Sequence, residues 1–397
     1  MKTNSLSAWI LAIRPYSLGN SVILILIGSA LAFTDGGFRP VVALLCLVFA
    51  VTMQCTANLV NDLCDFLKGA DRPDRLGPDR AFAKGYITLR AMKSGIAAFT
   101  LAACAAGVGL LALSGWNWWL LLVGASCIVF AYFYTAGPWP LAYHGMGDIA
   151  VILFFGLIPV GFTYYLQCGG WSGETAVVGL ACGMVIDTML MINNFRDREE
   201  DRRCNKRTIV VCLGAAAGRW GYLVLGTGAI LLCLSLLAEG RIAAALLPLP
   251  YLAVHIATWR KMVRIDHGEE LNVCLGETAR NILLFGALLT AGILLTHHGL
   301  YIAAVALNGS YRTVHEFPLG PEDTEQTLYD KIETGVGMIL EERAGERFAA
   351  IVISTVGLVD VTSNALELSP FFPGIGRVTA LADKLSQRFA LPVYAEN

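Results

Sequence analysis

Apolar runs of about 20 residues, the length that crosses a bilayer core as a helix, recur along the first three quarters of the chain. They fall at 16–34, 39–60, 93–114, 117–136, 146–167, 174–192, 220–238, 242–258 and 278–296. This pattern predicts an all-α polytopic membrane protein, a bundle of about nine transmembrane helices. Only Ser114-Gly115-Trp116 separates the third and fourth runs, which predicts a tight helical hairpin. No small-residue cleavage site follows the first run, so it reads as a span and not as a removable signal peptide.

After Gly299 the pattern changes. Tyr301–Leu307, a turn at Asn308-Gly309 and Tyr311–Phe317 read as a β-hairpin. Residues 323–343 read as an amphipathic helix, Phe348–Thr355 as a buried strand, 378–389 as a helix and Leu391–Tyr394 as a last strand. The expected organisation is a membrane domain over 1–299 and a small, incomplete α/β tail over 300–397.

Composition supports the division. Of 397 residues 56% are hydrophobic and 15% charged, against about 45–50% and about 25% in soluble domains, which excludes an ordinary cytosolic protein. Residues 301–397 carry 7 Lys+Arg and 13 Asp+Glu, whereas the first 300 carry 22 and 18. With a cytoplasmic N-terminus, the cytoplasmic connections receive Lys68, Arg72, Arg75, Arg80, Lys84, Arg90, the basic run from Arg196 to Arg219, and Arg260, Lys261, Arg264 and Arg280. The opposite side receives Arg39 and Arg241. This asymmetry predicts a protein of the cytoplasmic (inner) membrane, with nine spans delivering the tail outside. Its solvent is the lipid bilayer, and no nucleic-acid partner is expected. The 11 cysteines all precede residue 275 and form no CxxC pair. They read as small apolar packing residues, and nothing beside Cys64 or Cys204 suggests zinc.

Two polar segments carry candidate chemistry, each at the cytoplasmic end of an even-numbered span. The first runs Asn61-Asp62-Leu63-Cys64-Asp65-Phe66-Leu67-Lys68-Gly69-Ala70-Asp71 and continues to Asp74, Arg75 and Arg80. The second runs Asn193-Asn194-Phe195-Arg196-Asp197-Arg198-Glu199-Glu200-Asp201, followed by Arg202, Arg203, Lys206 and Arg207. At about 100° per residue, Asn193, Asp197 and Asp201 share one face of a continuing helix, and Asn61 and Asp65 share another. Carboxylates stacked four apart repel one another unless cations are present. Mg²⁺ is commonly held by one or two carboxylates together with substrate phosphates. Two matched Asn-x-x-x-Asp clusters trailed by Lys and Arg therefore describe a diphosphate site better than two ordinary basic loops. Asp187, six residues before Asn193, is a carboxylate inside a span, and such groups are functional by default; acceptor binding or proton handling is the expectation. Trp118, Trp119, Trp139 and the Tyr164-Tyr165 pair read as interface anchors, and His144 as a loop residue near the site.

These motifs resemble the UbiA superfamily of intramembrane prenyltransferases over about residues 9–296. Within it, the stretches Asn61 to Thr88, Tyr134 to Gln167 and Asn193 to Gly214 are most similar to the branch that prenylates 1,4-dihydroxy-2-naphthoate. Gly69 stands at the third acidic position of the general pattern, which makes Asp71 its continuation.

The resemblance implies a transferase with Mg²⁺ as cofactor and a polyprenyl diphosphate and 1,4-dihydroxy-2-naphthoate as partners, with loss of CO₂. It implies Asn61 and Asp65, with Asp62 beside them, at one metal, and Asn193, Asp197 and Asp201 at the other. Asp62, Asp65, Asp71, Asp197 and Asp201 are the expected catalytic carboxylates. Lys68, Arg75, Arg80, Lys206 and Arg207 are the expected phosphate contacts, and Tyr134 is placed to face an allylic cation. Three other readings are a sister enzyme with a different aromatic acceptor, a bifunctional sugar sensor whose tail binds ligand, and a membrane transporter; a transporter more often buries its charges midway across the bilayer.

The tail from Ile351 to Asn397 is similar to part of the N-terminal lobe of ROK-type sugar kinases and repressors. That family's opening Asp-x-Gly-Gly-Thr loop and its catalytic Asp are missing, so sugar phosphorylation is not expected. The tail reads as a fused or truncated fragment.

Overall fold

The computed structural model describes residues 1–69, 76–137, 139–295, 299–305, 311–318, 323–346, 348, 350–354, 358–360, 365–367, 377–378 and 381–396. The chain divides into two compact units, Met1–Thr296 and His297–Asn397.

In the first unit a short helix α1 (Leu6–Ile13) precedes α2 (Pro15–Thr34), α3 (Pro40–Leu67), α4 (Leu89–Leu113) and α5 (Trp118–Phe133). Then come α6 (Gly147–Ile152) and α7 (Ile158–Cys168), which form one span, and α8 (Gly173–Arg196). The short helices α9 (Arg198–Arg203) and α10 (Ile209–Leu213) lead into α11 (Ala215–Ser235). The last two spans are α12 (Ile242–Leu246) with α13 (Leu249–Ile265), and α14 (Leu271–Leu295). Among the described residues, eight helices are long and apolar enough to cross a membrane. The remaining predicted span, the fourth, is α5, whose 16 residues are slightly short of a full crossing. It starts at an Asn117 cap and ends before Gly137. The last span begins at Leu271, earlier than hydropathy indicated, because Glu277 and Arg280 lie inside the helix. The protein is an integral membrane protein.

Local chemistry sets the helix ends. Ser5, Thr88, Asn117, Ser172 and Thr208 each accept a backbone N–H at a helix N-terminus, the usual role of such residues. Pro15 and Pro40 open α2 and α3, where a missing N–H costs nothing. The hairpin between α4 and α5 turns through Gly115 and Trp116, both at positive φ (69° and 60°).

The core is centred on α2, α8, α11 and α14, with Leu24, Ile27, Val185, Ile230, Phe285 and Leu289 buried there. One close approach brings the site's walls together. A π turn (Leu153–Leu157) joins α6 to α7, and a Cβ on Gly156 would strike the backbone of Gly179 and Gly183 in α8. A Cβ on Gly183 would strike Ile152 in turn. Small residues spaced four apart are a recurrent means of backbone contact between membrane helices.

In the second unit β1 (Gly299–Val305) and β2 (Tyr311–Pro318) pair antiparallel, Gly299 opposite Pro318. The predicted Asn308-Gly309 turn lies outside the described residues. Helix α15 (Glu325–Glu342) starts with a Thr324–Thr327 capping box and buries Leu328, Ile332, Val336 and Ile339. Gly335 lets it close on Ile302 and Phe317. Strand β3 (Ile351–Ser354) pairs parallel with β7 (Val393–Glu396), and α16 (Leu381–Phe389) lies between them in sequence. Three strands of two or three residues, β4 (Leu358–Asp360), β5 (Ala365–Glu367) and β6 (Arg377–Val378), form a small antiparallel sheet. They are too short to leave a periodic signal in sequence.

Candidate active site

Helix α3 runs on past the apolar region to Leu67, so the first motif stays helical and Asn61 stacks over Asp65. Asn61 Nδ2 donates to Asp65 Oδ2 at 3.0 Å and to Thr135 Oγ1 at 3.1 Å. The Tyr143 hydroxyl donates to Asp65 Oδ1 at 3.2 Å. Burial, and then the charge of Asp65, push the Tyr143 phenol well above its ordinary range, so it remains a donor.

Asp62, one residue along, turns the other way. Its carboxylate is 1% exposed and is gripped by Arg14 and by Arg80 (3.3 Å). Arg14 Nη2 also donates to Asn61 Oδ1 at 3.2 Å. Burial opposes the Arg14 charge, yet Asp62 overcomes it and holds the guanidinium above its ordinary value.

The second motif departs from an unbroken helix. The chain breaks step at Asp197 (φ −89°, ψ 5°), between α8 and α9. The i to i+4 bonds nevertheless continue: Asp197 N donates to Asn193 O at 2.9 Å and Asp201 N to Asp197 O at 2.8 Å. The three side chains keep their spacing while the axis bends. Arg196, itself buried, clamps Asp197 through two bonds of 2.6 and 2.7 Å. Lys206 approaches Asp201 at 3.2 Å. Burial pushes the Asp201 carboxyl up to about 6 against the pull of Lys206, and Asp197 and Asp65 add to the rise. Burial lowers Lys206, but Asp201, Asp65 and Asp197 together keep its ammonium above the ordinary range. These four groups therefore feel one another across the two motifs.

Asp65, Asp197 and Lys206 line one cavity of about 260 Å³, with Asp201 bonded to Lys206 beside it. Asn61 and Asp65 face it from α3, Asn193 and Asp197 from the end of α8, and Arg14, Arg80 and Lys206 from the connections. A second cavity of about 320 Å³, lined almost wholly by apolar side chains of α2 to α7, shares Gln54, Phe130 and Phe155 with it.

The other expected residues fall as follows. Lys68 donates to the Thr135 carbonyl at 2.5 Å and lies over the Tyr143 ring at 4.4 Å. Arg207 joins the site through its backbone N–H, which donates to Tyr143 O at 3.1 Å. Tyr134 lines the polar cavity, 5.5 Å from the Phe130 ring. Asp187 is buried in α8, and its Oδ1 lacks a hydrogen-bond partner. Asp71 and Arg75 lie outside the described residues. Sequence reading passed over Arg14, Thr135 and Tyr143, which reach the motifs only through tertiary packing. It also passed over Asp148, whose sole signal was an acid inside the predicted fifth span.

Among the described residues no three His, Cys, Asp or Glu side chains gather closely enough to hold a metal ion alone. The donor set nevertheless fits Mg²⁺. It is hard oxygen from carboxylates and amides, and Asp201 Oδ2 is buried without a partner. Mg²⁺ takes few protein ligands where a substrate phosphate supplies the rest.

Residues 21–275 match the UbiA prenyltransferase family. The chain belongs to that family. The 1,4-dihydroxy-2-naphthoate octaprenyltransferase of Escherichia coli (strain K12) is 39% identical over 234 residues, 58% of this chain and 75% of that one. The enzyme of the same name from Haemophilus influenzae is 32% identical over 305 residues, 74% of this chain and 98% of its own. Among solved structures, a UbiA homologue from Aeropyrum pernix K1 superimposes with a TM-score of 0.55 at 18% identity, covering 71% of this chain and 98% of that one. A UbiA homologue from Archaeoglobus fulgidus bound to GPP and Mg²⁺ gives 0.50 at 16% identity, covering 72% and 99%. The UbiA match lies wholly within the first unit and spans both motifs.

Proposed function

We propose that the enzyme transfers a polyprenyl group from polyprenyl diphosphate to 1,4-dihydroxy-2-naphthoate with loss of CO₂, giving the quinol form of demethylmenaquinone in menaquinone biosynthesis. The observation that carries this reading is the joining of the two acidic motifs in one polar cavity that adjoins an apolar one. A molecule with a highly charged head and a long hydrocarbon tail needs that pairing. Two named naphthoate prenyltransferases at 39% and 32% identity supply the acceptor.

Asn61, Asp65, Asn193, Asp197 and Asp201 are the residues that would hold Mg²⁺. The bound ions would neutralise charge on the diphosphate leaving group. Arg14, Arg80 and Lys206 line the same cavity and meet phosphate oxygens, the arginines with a fork suited to bidentate contact. Asp62 orients those two arginines from behind. Tyr143 and Asn61 fix the Asp65 carboxylate. The faces of Phe130 and Tyr134 shelter an allylic cation from water and stabilise it through their negative π-faces. Once the C–O bond to diphosphate has broken, the acceptor ring attacks the prenyl carbon, and the ring carboxylate leaves as CO₂, its bonding pair restoring the aromatic ring.

The basic-loop asymmetry supports a site facing the cytoplasm at the inner membrane, with the tail outside. Every site residue named here precedes residue 296, and the chain divides there into two compact units, which supports a tail that takes no part in the chemistry.

Membranes carrying the chain, given labelled polyprenyl diphosphate and a panel of hydroxylated aromatic acids, test the reading. Prenylated product from 1,4-dihydroxy-2-naphthoate is expected. Product from 4-hydroxybenzoate alone would remove the acceptor assignment and leave the family intact.

A further inference from the structure

Three buried oxygens that face the polar cavity have no donor. They are Asn20 Oδ1 in α2, Gln54 Oε1 in α3 and Asp148 Oδ1 in the first turn of α6. The residues are 6%, 8% and 6% exposed and all line the cavity. Leaving a buried acceptor unpaired is costly, more so for a charged one. Three such oxygens around one space mark it for a group that donates hydrogen bonds. Gln54 shows the contrast within one side chain. Its Nε2 donates to Asn58 Oδ1 at 3.1 Å, while its carbonyl oxygen is left over.

All three atoms accept, and one belongs to a carboxylate. A diphosphate is also acceptor-rich, so it gains nothing from this set and is repelled by Asp148. The cations that suit it stand elsewhere: Arg14 pairs with Asp62 and Lys206 with Asp201. Gln54 precedes Asn61 by seven residues, which places it about 10 Å along the helix from the first motif. It also lines both cavities, so it stands where the polar chamber meets the apolar one. A prenyl carbon beside its leaving group would be found at that junction. Phe130 and Phe155, which also line both cavities, offer aromatic surface there at 6.4 Å centroid separation. A planar ring bearing hydroxyl donors matches this lining on its faces and at its edge.

We infer that Asp148, Gln54 and Asn20 form the hydroxyl-recognition edge of the acceptor subsite, and so select a hydroxylated aromatic ring over the same ring without hydroxyls. The inference rests on the prenyl-transfer reading and assigns part of its site. A site built to bond a substrate hydroxyl discriminates strongly against an analogue lacking it, because its buried groups are then left unpaired.

The test uses the full chain in detergent with Mg²⁺ and two probes, 1,4-dihydroxy-2-naphthoate and 2-naphthoate, which lacks both hydroxyls. Asp148→Ala and Gln54→Leu should each weaken dihydroxynaphthoate binding about tenfold or more, while 2-naphthoate binding and the KM for polyprenyl diphosphate stay within about twofold. Asp148→Asn, which keeps an oxygen acceptor, should fall between. If Asp148→Ala does not fold, Gln54→Leu and Asn20→Leu carry the same comparison. Variants that keep the preference for the hydroxylated ring, or that change only the diphosphate KM, overturn the inference and leave prenyl transfer standing. A wild-type chain that binds neither ring overturns the inference and the acceptor assignment together.

Discussion

Arg14 and Asp62 form a buried ion pair 48 residues apart in sequence, with side chains 13% and 1% exposed. Arg14 occupies the left-handed joint (φ 53°, ψ 74°) between α1 and α2, just before Pro15. The pair therefore fastens the N-terminal helices to the first acidic motif and takes Asp62 away from the cavity. Breaking a buried pair by removing one partner costs about 3–5 kcal/mol. Asp62→Asn is expected to lower the thermal midpoint in detergent while the Mg²⁺ concentration for half-maximal activity stays close to wild type. A shifted Mg²⁺ requirement with unchanged stability would make Asp62 a ligand instead.

Asp65 and Asp197 face the cavity, and their variants should behave in the opposite way. Asp65→Asn and Asp197→Asn are expected to lower kcat by about 100-fold or more, the scale of losing one preorganised electrostatic contact. The bundle should still unfold cooperatively. Chelation by EDTA should abolish wild-type activity and added Mg²⁺ should restore it. Near-normal turnover in either folded variant would remove that carboxylate from the metal site.

The contrast between Asp62 and Asp65 marks what the sequence could convey. Hydropathy is a local property, so eight of the nine spans appear as long apolar helices, and the fourth is shortened only by its Asn117 cap and its Gly137 end. The spacing of Asn61 to Asp65 and of Asn193 to Asp197 is also local, and both pairs sit together as read. Which way Asp62 points depends on Arg14 and Arg80, and no local pattern names them as partners. The break at Asp197 was hidden for a related reason, since α8 and α9 keep their i to i+4 bonds across it. The unpaired oxygens of Asn20, Gln54 and Asp148 belong to three separate helices and become a group only when those helices pack.

The approach of the π turn to α8 is a packing claim with its own test. Gly183→Ala places a methyl group against the backbone of Ile152, and Gly156→Ala does the same against Gly183. Each should destabilise the protein by about 1–3 kcal/mol, the usual cost of overpacking. Gly173→Ala, which meets nothing nearby, serves as the control in the same thermal scan. Equal midpoints for all three would contradict the close approach.

The tail should be dispensable. A chain ending at Gly299 is expected to retain roughly wild-type prenyl transfer per folded molecule. A tag after Asn397 should be cleaved by protease added outside intact cells. A truncated chain that folds but is inactive would bring the second unit into the mechanism.

The most direct test is the coupling of prenyl transfer to decarboxylation. With carboxyl-labelled 1,4-dihydroxy-2-naphthoate, polyprenyl diphosphate and Mg²⁺, the purified chain should release labelled CO₂ in a one-to-one ratio with prenylated product. Both signals should be lost together in Asp65→Asn. Prenylated product that retains the label, or transfer that persists without divalent metal, would contradict the account.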